Sequence, residues 1–427
     1  MKKLCLIFPF FFLFNVAFAQ TKEAFVPNYE ESKVPIFTLP DPLQTFEGRP
    51  IRSAKAWEAE GRPELLDFFT QQVYGAVPEQ LEITSRKLIE QSNDALGGKA
   101  HRKQVKLTFE QNGRRLDCHI LMYLPKGTQP ATVFLGYNFY GNHTVTTDTM
   151  VHIPEAWSRN NAAFGVEDHK LTAQSRGVRV NRWPIEKIIN AGFGLATVYY
   201  GEIDPDRDNF SDGIHPFFYK DGQEQPTENE WGAISAWAWG LSRVMDYLEE
   251  DQDVDSGQVI VMGHSRLGKT ALWAGATDQR FAAVISNNSG CGGAALSKRQ
   301  YGETVSRIND QFPHWFCKNF HAYSKNEAAL TADQHELIAL VAPRPVYVAS
   351  AVDDQWADPK GEFLSAYHAG PVYDLYGKNG IPTAEMPGLD APIHNTVAYH
   401  IRTGGHDVKA YDWEQYIEWA KAQLKDR

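Results

Sequence analysis

The chain has 427 residues, a formal net charge of −11, and is 43% hydrophobic and 12% aromatic. An acidic, aromatic-rich chain is unsuited to nucleic acid, and this length can bury a large core in one elaborated domain or in two. No Pro/Gly/Ser linker, repeat or low-complexity tract divides it, so one domain is expected.

The first residues, Met1 to Ala19, carry Lys2 and Lys3, an apolar run too short to span a bilayer, and an Ala-x-Ala ending. This is the pattern of a secretory signal peptide cut before Gln20. Losing the two lysines takes the formal charge from −11 to −13. Cys5 leaves with them, and only Cys118, Cys291 and Cys317 remain. At most one disulfide can then form, and stability must come from packing. The expected product is exported, periplasmic or secreted, monomeric and without a membrane anchor. Scattered histidines such as His314, His321 and His335 lack the spacing of a metal site, and neither metal nor cofactor is expected.

Residues 20–60, rich in Pro, Glu and Thr with weak periodicity, read as an extended strap in which little function is expected. The remainder, 61–427, reads as the single domain. A helix is predicted from about Pro63 to Tyr74. Alternating runs at Val105 to Phe109 and Leu116 to Leu124 flank Asn112-Gly113, a hairpin signal, so the sheet starts antiparallel. From Ala131 the strands become continuously apolar: Thr132 to Leu135, Gly194 to Tyr200, Gln258 to Gly263, Ala282 to Ser286 and Pro345 to Ser350. Such strands belong to a parallel sheet covered on both faces. Helices are predicted near Ile185 to Ala191, from Trp231 to Leu248 with one apolar stripe, and from about Ala410 to Leu424. This order is that of an α/β-hydrolase: an antiparallel start, a mostly parallel central sheet and helices on both faces.

Within that order, Gln258 to Ala276 reads as strand, sharp turn and helix, with Ser265 at the turn. A serine there projects its hydroxyl beyond the sheet edge, toward which the following helix points its N-terminal N–H groups. The common elbow is Gly-x-Ser-x-Gly, whereas here Gly263 precedes the serine by two and Gly268 follows by three. A fold of this type takes its acid from the end of a later strand and its base from a loop before the last helix. His406, in Thr403-Gly-Gly-His-Asp407, has that position, and His394 is a rival in weaker context. The strand ending at Ser350 runs into Asp353 and Asp354, and spacing does not choose between them.

The words around these residues resemble the glucuronoyl esterases, carbohydrate esterase family 15, and in particular their bacterial branch. They are Tyr137-Asn-Phe-Tyr-Gly-Asn-His143, Tyr200-Gly-Glu-Ile-Asp-Pro-Asp206, Gly263-His-Ser-Arg-Leu-Gly-Lys269, Asn288-Ser-Gly-Cys-Gly-Gly293, the segment His335 to Arg344, Asp354-Gln-Trp-Ala-Asp-Pro359 and Gly404-Gly-His406. The family's nucleophile motif, Gly-Cys-Ser-Arg-x-Gly, has the late second glycine seen here. The resemblance implies Ser265 as nucleophile, His406 as base and Asp354 as acid, with Asp353 second. It further implies Arg266 at the oxyanion through its N–H and guanidinium, and Lys269, Glu303 and Trp356 around a uronoyl group. Many members carry a glutamate where this chain has Asn288, which puts the acid's role on Asp354. His264 stands where fungal members have a disulfide cysteine. A loop from Tyr376 to Pro392 is expected to shape the alcohol side of the pocket.

The implied activity is a serine esterase acting on (4-O-methyl-)glucuronic acid esters, as in links between glucuronoxylan and lignin. Acetyl xylan esterase or peptidase activity on the same fold is the nearest alternative. A catalytically silent glycan-binding protein is a reading from another class.

Overall fold

A computed structural model describes residues 25–78, 81–128 and 130–424, and these build one nine-stranded sheet in the order β1-β2-β3-β5-β4-β6-β7-β8-β9. The signal-peptide reading lies outside the described residues. β1 (Ser85–Asp94), β2 (Ala100–Gln111) and β3 (Arg114–Pro125) form the antiparallel start. The hairpin turns at Asn112-Gly113, both left-handed with φ of 53° and 73°, and pairs Gln111 with Arg114. That backbone matches the right-handed twist of the strands it joins. β3 runs antiparallel to β5 (Gly194–Tyr199). From there β4 (Ala131–Asn138), β6 (Val254–His264), β7 (Ala283–Asn287), β8 (Val346–Ala351) and β9 (Val397–Arg402) continue in parallel.

Alternate residues of the parallel strands feed two cores, one on each face. Val133, Leu135, Val259, Val261 and Val348 join the layer of helices Ala233–Leu248 and Arg266–Thr277. Phe134, Ile260, Met262, Tyr347 and Ala398 meet helices Ile185–Asn190 and Ala410–Leu424 on the other face. Burial on both faces explains why these strands read as unbroken apolar runs.

Several elements differ from expectation. The first helical stretch starts at Ala54 rather than Pro63, capped by Ser53, whose hydroxyl accepts from the Ala56 N–H at 3.2 Å. Residues Trp57–Gly61 form a π turn that accommodates Pro63, which has no N–H to give and whose ring crowds the carbonyl four residues back. The long helix begins at Ala233, with Trp231 outside it. It is buried on more than one stripe, because Trp239 meets Phe109 of β2, Trp237 donates to the Asp204 carbonyl, and Ser235 accepts from Trp273. β1 and β9 were not anticipated. β1 is an exposed, charge-rich edge with a register shift between Leu88 and Glu90, which hides any alternation. In β9 the polar His400 and Arg402 are buried against Asp412 and break the apolar run.

Residues 25–53 carry a short 3-10 turn at Glu31–Lys33 and an isolated antiparallel bridge between Gln44 and Pro50, and the Pro40 carbonyl accepts from His335 Nε2 at 3.0 Å. Cys118, Cys291 and Cys317 are buried free thiols. Among the described residues no helix is long and apolar enough to cross a membrane.

The helix that carries the candidate site ends against a buried arginine. Arg344 donates to the carbonyls of Gly275, Asp278 and Phe281, where the helix Arg266–Thr277 leaves its last carbonyls unpaired. Arg344→Met is expected to lower unfolding free energy by about 2–4 kcal/mol, measured by urea denaturation, because buried carbonyls lose a charged donor.

Candidate active site

The carboxyl ends of the parallel strands gather the candidate residues, as open α/β sheets do with their ligand sites. Ser265 follows β6, Asn288 follows β7, Asp354 follows β8 and His406 follows β9. Ser265 has φ 59° and ψ −130°, a conformation that L side chains avoid. Its N–H donates to the Asn287 carbonyl at 2.9 Å, and its own carbonyl accepts from Gly268 N–H at 2.8 Å. The glycine spacing is also explained. A Cβ at Gly263 would lie 1.8 Å from the Leu267 carbonyl oxygen, and one at Gly268 would lie 3.0 Å from the Ser289 Cβ. The second glycine therefore sits where the helix passes closest to the strand and to Ser289, one residue later than in the common elbow.

Ser265 Oγ lies 2.9 Å from His406 Nε2, and His406 Nδ1 lies 2.6 Å from Asp354 Oδ2. With Nδ1–H donated to the carboxylate, Nε2 accepts from the serine hydroxyl, and the chain can pass a proton from hydroxyl to ring. Asp354 is buried, whereas its neighbour Asp353 is exposed and meets the histidine loop only through its backbone N–H, which donates to the Gly404 carbonyl at 3.0 Å. Asn288 Nδ2 donates to the same Asp354 oxygen at 2.8 Å, so the amide and the His406 ring hold one carboxylate oxygen between them. The rival His394 packs beside Tyr347, with ring centroids 6.0 Å apart, and belongs to the layer under the last helix.

A cavity of about 370 Å³ opens over Ser265, walled by Arg266, Lys269, Glu303, Trp315, Trp356 and His406 among others. All the sequence-predicted site residues except the second choices Asp353 and His394 line it. Arg266 is the first residue of its helix, so its N–H has no carbonyl a turn earlier to bond. Its guanidinium lies 4.9 Å from the Trp315 ring centroid and pairs with Asp206. Asp206 is buried and also accepts from His314 Nε2 at 2.9 Å, Trp315 Nε1 at 2.7 Å and the Tyr200 hydroxyl at 3.2 Å. Burial alone would push the Asp206 carboxyl up, but the Arg266 guanidinium and the His314 and Trp315 donors outweigh it and hold the carboxyl well below its usual range.

Lys269 Nζ donates to the Ser289 carbonyl and lies 4.0 Å from Glu303 Oε2. Burial draws the Lys269 ammonium down and the Glu303 carboxyl up, and their mutual attraction offsets this only in part. The pair is thus under-solvated, and hydroxyls or water entering the cavity would stabilise both charges. His264 packs beside His406, with ring centroids 4.5 Å apart, and its Nδ1–H donates to Asn287 Oδ1 at 2.7 Å. Burial, followed by the neighbouring His406, holds the His264 pKa well below the ordinary value.

Asp206, His314, Trp315 and the support from Asn288 were not assigned from sequence. The available signal was the acidic cluster Glu202, Asp204 and Asp206 directly after β5, at the sheet edge where sites form. The segment Tyr376 to Pro392 supplies none of the cavity lining, contrary to expectation; it packs outside β9, where Asp390 N–H donates to the Ile401 carbonyl. Among the described residues no cluster of three or more His, Cys, Asp or Glu could hold a metal ion.

A mostly parallel sheet that holds a strained serine, an aspartate and a histidine at the ends of β6, β8 and β9 defines a hydrolase of the α/β-hydrolase fold. Residues 185–377 match the family model "Glucuronyl esterase, fungi". Over 397 residues the chain is 50% identical to carbohydrate esterase MZ0003 from an unknown prokaryotic organism, covering 92% of this chain and 91% of that protein. The structure of a promiscuous family 15 carbohydrate esterase from a marine bacterial metagenome superposes with a TM-score of 0.88 at 49% identity, over 93% of this chain and all of that one. A glucuronoyl esterase from Solibacter usitatus gives a TM-score of 0.87 at 48% identity, over 92% and 100% of the two chains. The chain belongs to the glucuronoyl esterase family, carbohydrate esterase family 15, and is a carboxylic ester hydrolase.

One buried carboxyl beneath the site makes its stability depend on pH. Glu362 accepts from Gly290 N–H at 2.9 Å and from the Ser350 hydroxyl at 2.6 Å, and burial, aided by the Asp354 carboxylate, raises its pKa from 4.5 to about 8. In the folded protein it stays protonated over a range where the unfolded chain ionises, so rising pH between 4.5 and about 8 favours unfolding. Above that range the penalty is constant. Melting temperatures of Glu362→Gln and wild type, compared from pH 4 to 8, are expected to shift in favour of the variant as pH rises.

Proposed function

We propose that this enzyme hydrolyses esters of (4-O-methyl-)glucuronic acid through an acyl-enzyme on Ser265. The observation that carries the reading is the hydrogen-bonded chain Ser265, His406, Asp354, at 2.9 and 2.6 Å, opening into a cavity whose walls offer Arg266, Lys269, Glu303 and Trp356. His406 Nε2 takes the hydroxyl proton as Ser265 Oγ attacks the ester carbonyl. The oxyanion that forms faces the Arg266 N–H and guanidinium, and one fixed donor in such a site lowers the barrier by about 3 kcal/mol. Collapse expels the alcohol, which receives the proton from His406. Water, deprotonated by the same ring, then releases the acid and restores the serine.

Lys269, Glu303 and Trp356 hold the sugar ring in this reading. Cations, a carboxylate and an indole suit the hydroxyls and flat face of a pyranose better than an acyl chain. The relative named for glucuronoyl esterase activity supports the uronate, and esters joining glucuronoxylan to lignin alcohols are the natural class. The apolar N-terminal run with its Ala-x-Ala ending supports export, and N-terminal sequencing of the protein recovered outside the cytoplasm should begin at Gln20.

The test is the initial rate on methyl and benzyl glucuronate beside an acetyl ester. Ser265→Ala should abolish uronate-ester turnover, and Asp354→Asn should lower kcat by roughly 10³- to 10⁴-fold, through loss of the histidine's orientation and charge partner. Preferential turnover of the acetyl ester would instead favour an acetyl xylan esterase, and binding of xylan fragments with no turnover of any ester would favour a silent glycan binder.

A further inference from the structure

The N-terminal strap, expected to carry little function, crosses the two loops that bear Glu303 and Trp356. Phe25 meets Trp356 edge to face, with ring centroids 6.0 Å apart at 83°. The Asn28 carbonyl accepts from Gly302 N–H at 2.9 Å, and the Tyr29 carbonyl accepts from the Tyr301 hydroxyl at 3.0 Å. Glu31 then pairs with Arg299 at 2.6 Å, upstream of Glu303, and with Lys360 at 2.9 Å, in the first turn of the helix Pro359–His368 that follows Trp356. The loops themselves are in close register. Glu303 N–H donates to the Trp356 carbonyl at 3.0 Å, Arg299 pairs with Asp358 at 2.8 Å, and a Cβ at Gly302 would come within 2.5 Å of the Trp356 carbonyl oxygen.

We propose that residues Phe25 to Glu31 are positioning residues for the sugar subsite: they set where Glu303 and Trp356 stand and thereby determine affinity for the uronoyl group. This rests on the uronate reading given above. The physical ground is a division of support. Ser265 is fixed by the Asn287 carbonyl and by its own helix, and the His406 loop by Arg402, which donates to the Thr403 and Gly405 carbonyls at 3.1 and 3.2 Å. Glu303 stands on irregular backbone and Trp356 on a single 3-10 turn, Gln355–Ala357, and the neighbouring N-terminal segment braces both. Trp356 is half-buried with the Phe25 ring packed edge to face against it. A displaced Trp356 would leave the reacting triad intact and loosen the ring that the ester hangs from.

The experiment compares wild type, Phe25→Ala, Glu31→Gln, the double variant and Phe25→Tyr, each as the full-length chain processed by its own export. The readouts are KM and kcat on methyl glucuronate and the melting temperature. Each of Phe25→Ala and Glu31→Gln is expected to raise KM by roughly 3- to 10-fold with kcat within about 2-fold of wild type. The double variant should be weaker again, and Phe25→Tyr, which keeps the aromatic edge, should return KM to the wild-type range. An unchanged KM in the double variant would overturn the proposal, as would parallel losses of kcat and melting temperature, which mark a brace for the whole fold. If Phe25→Ala fails to accumulate, Glu31→Gln carries the same comparison alone. A wild-type enzyme that prefers the acetyl ester overturns the uronate reading before any variant is compared, so the two failures are distinguishable.

Discussion

Ser265 can present its hydroxyl only because its backbone is held at φ 59°, and the rest of the site is arranged around keeping it there. A non-glycine residue in such a conformation costs about 1–3 kcal/mol, and persists where its surroundings over-determine it. Here they do so with backbone alone. The Ser265 N–H is taken by the neighbouring strand's Asn287 carbonyl, and its carbonyl by the first turn of the helix. The absence of a side chain at Gly263 lets the Leu267 carbonyl come close enough to tighten that turn. In the acyl-enzyme reading, the same geometry leaves the helix's first N–H groups facing the place where an oxyanion would form, so that holding the serine and forming the anion site become one structural requirement.

Charge is arranged on the same principle of fixing groups before substrate arrives. A guanidinium beside a nucleophile would be a poor catalyst's aid if it swung freely, since most of its stabilisation would be lost in reorganising it. Arg266 does not swing: it is pinned between the Trp315 ring and an Asp206 that three further donors hold in place. Burying an ion pair is costly in itself, and full hydrogen bonding of the remaining carboxylate lone pairs is what makes it tolerable. The looser Lys269 and Glu303, 4.0 Å apart, stand in contrast. In the uronate reading, Arg266 is the cation fixed for the reacting carbonyl, and the looser pair faces the sugar.

What the sequence disclosed follows from how local each signal is. Ser265 and His406 are legible because a strand-turn-helix and a Gly-Gly-His loop before the last helix are short words with a fixed place in the chain. Asp353 and Asp354 are adjacent, and only the path of the chain beyond β8 decides that Asp354 turns inward toward His406. Asp206 and His314 lie 108 positions apart and meet only in the folded protein, so no spacing rule announces them. The parallel strands were visible through continuous burial, whereas β1, exposed and charged, and β9, carrying a buried His and Arg, were not. In β9 the polar residues are buried precursors of the site: Arg402 and His400 both bind Asp412, which also accepts from Lys409 N–H, and so anchor the loop that presents His406.

That anchoring also explains how the site stays rigid without a cross-link. His264 occupies the position just before the nucleophile, and the described cysteines are free thiols. In place of a covalent tie the chain sets the His264 imidazole against His406, ring to ring at 4.5 Å, joining the nucleophile turn to the base's loop. Two imidazoles so close cannot both carry a proton at little cost. Burial resolves the conflict by keeping His264 neutral, with Asn287 fixing one ring nitrogen and Tyr416 hydrogen-bonded to the Asn287 amide in turn. In the acyl-enzyme reading proposed above, a neutral His264 leaves the ring beside Asp354 as the one that takes the serine proton. A packed neutral ring gives the histidine loop a fixed wall without competing for its proton.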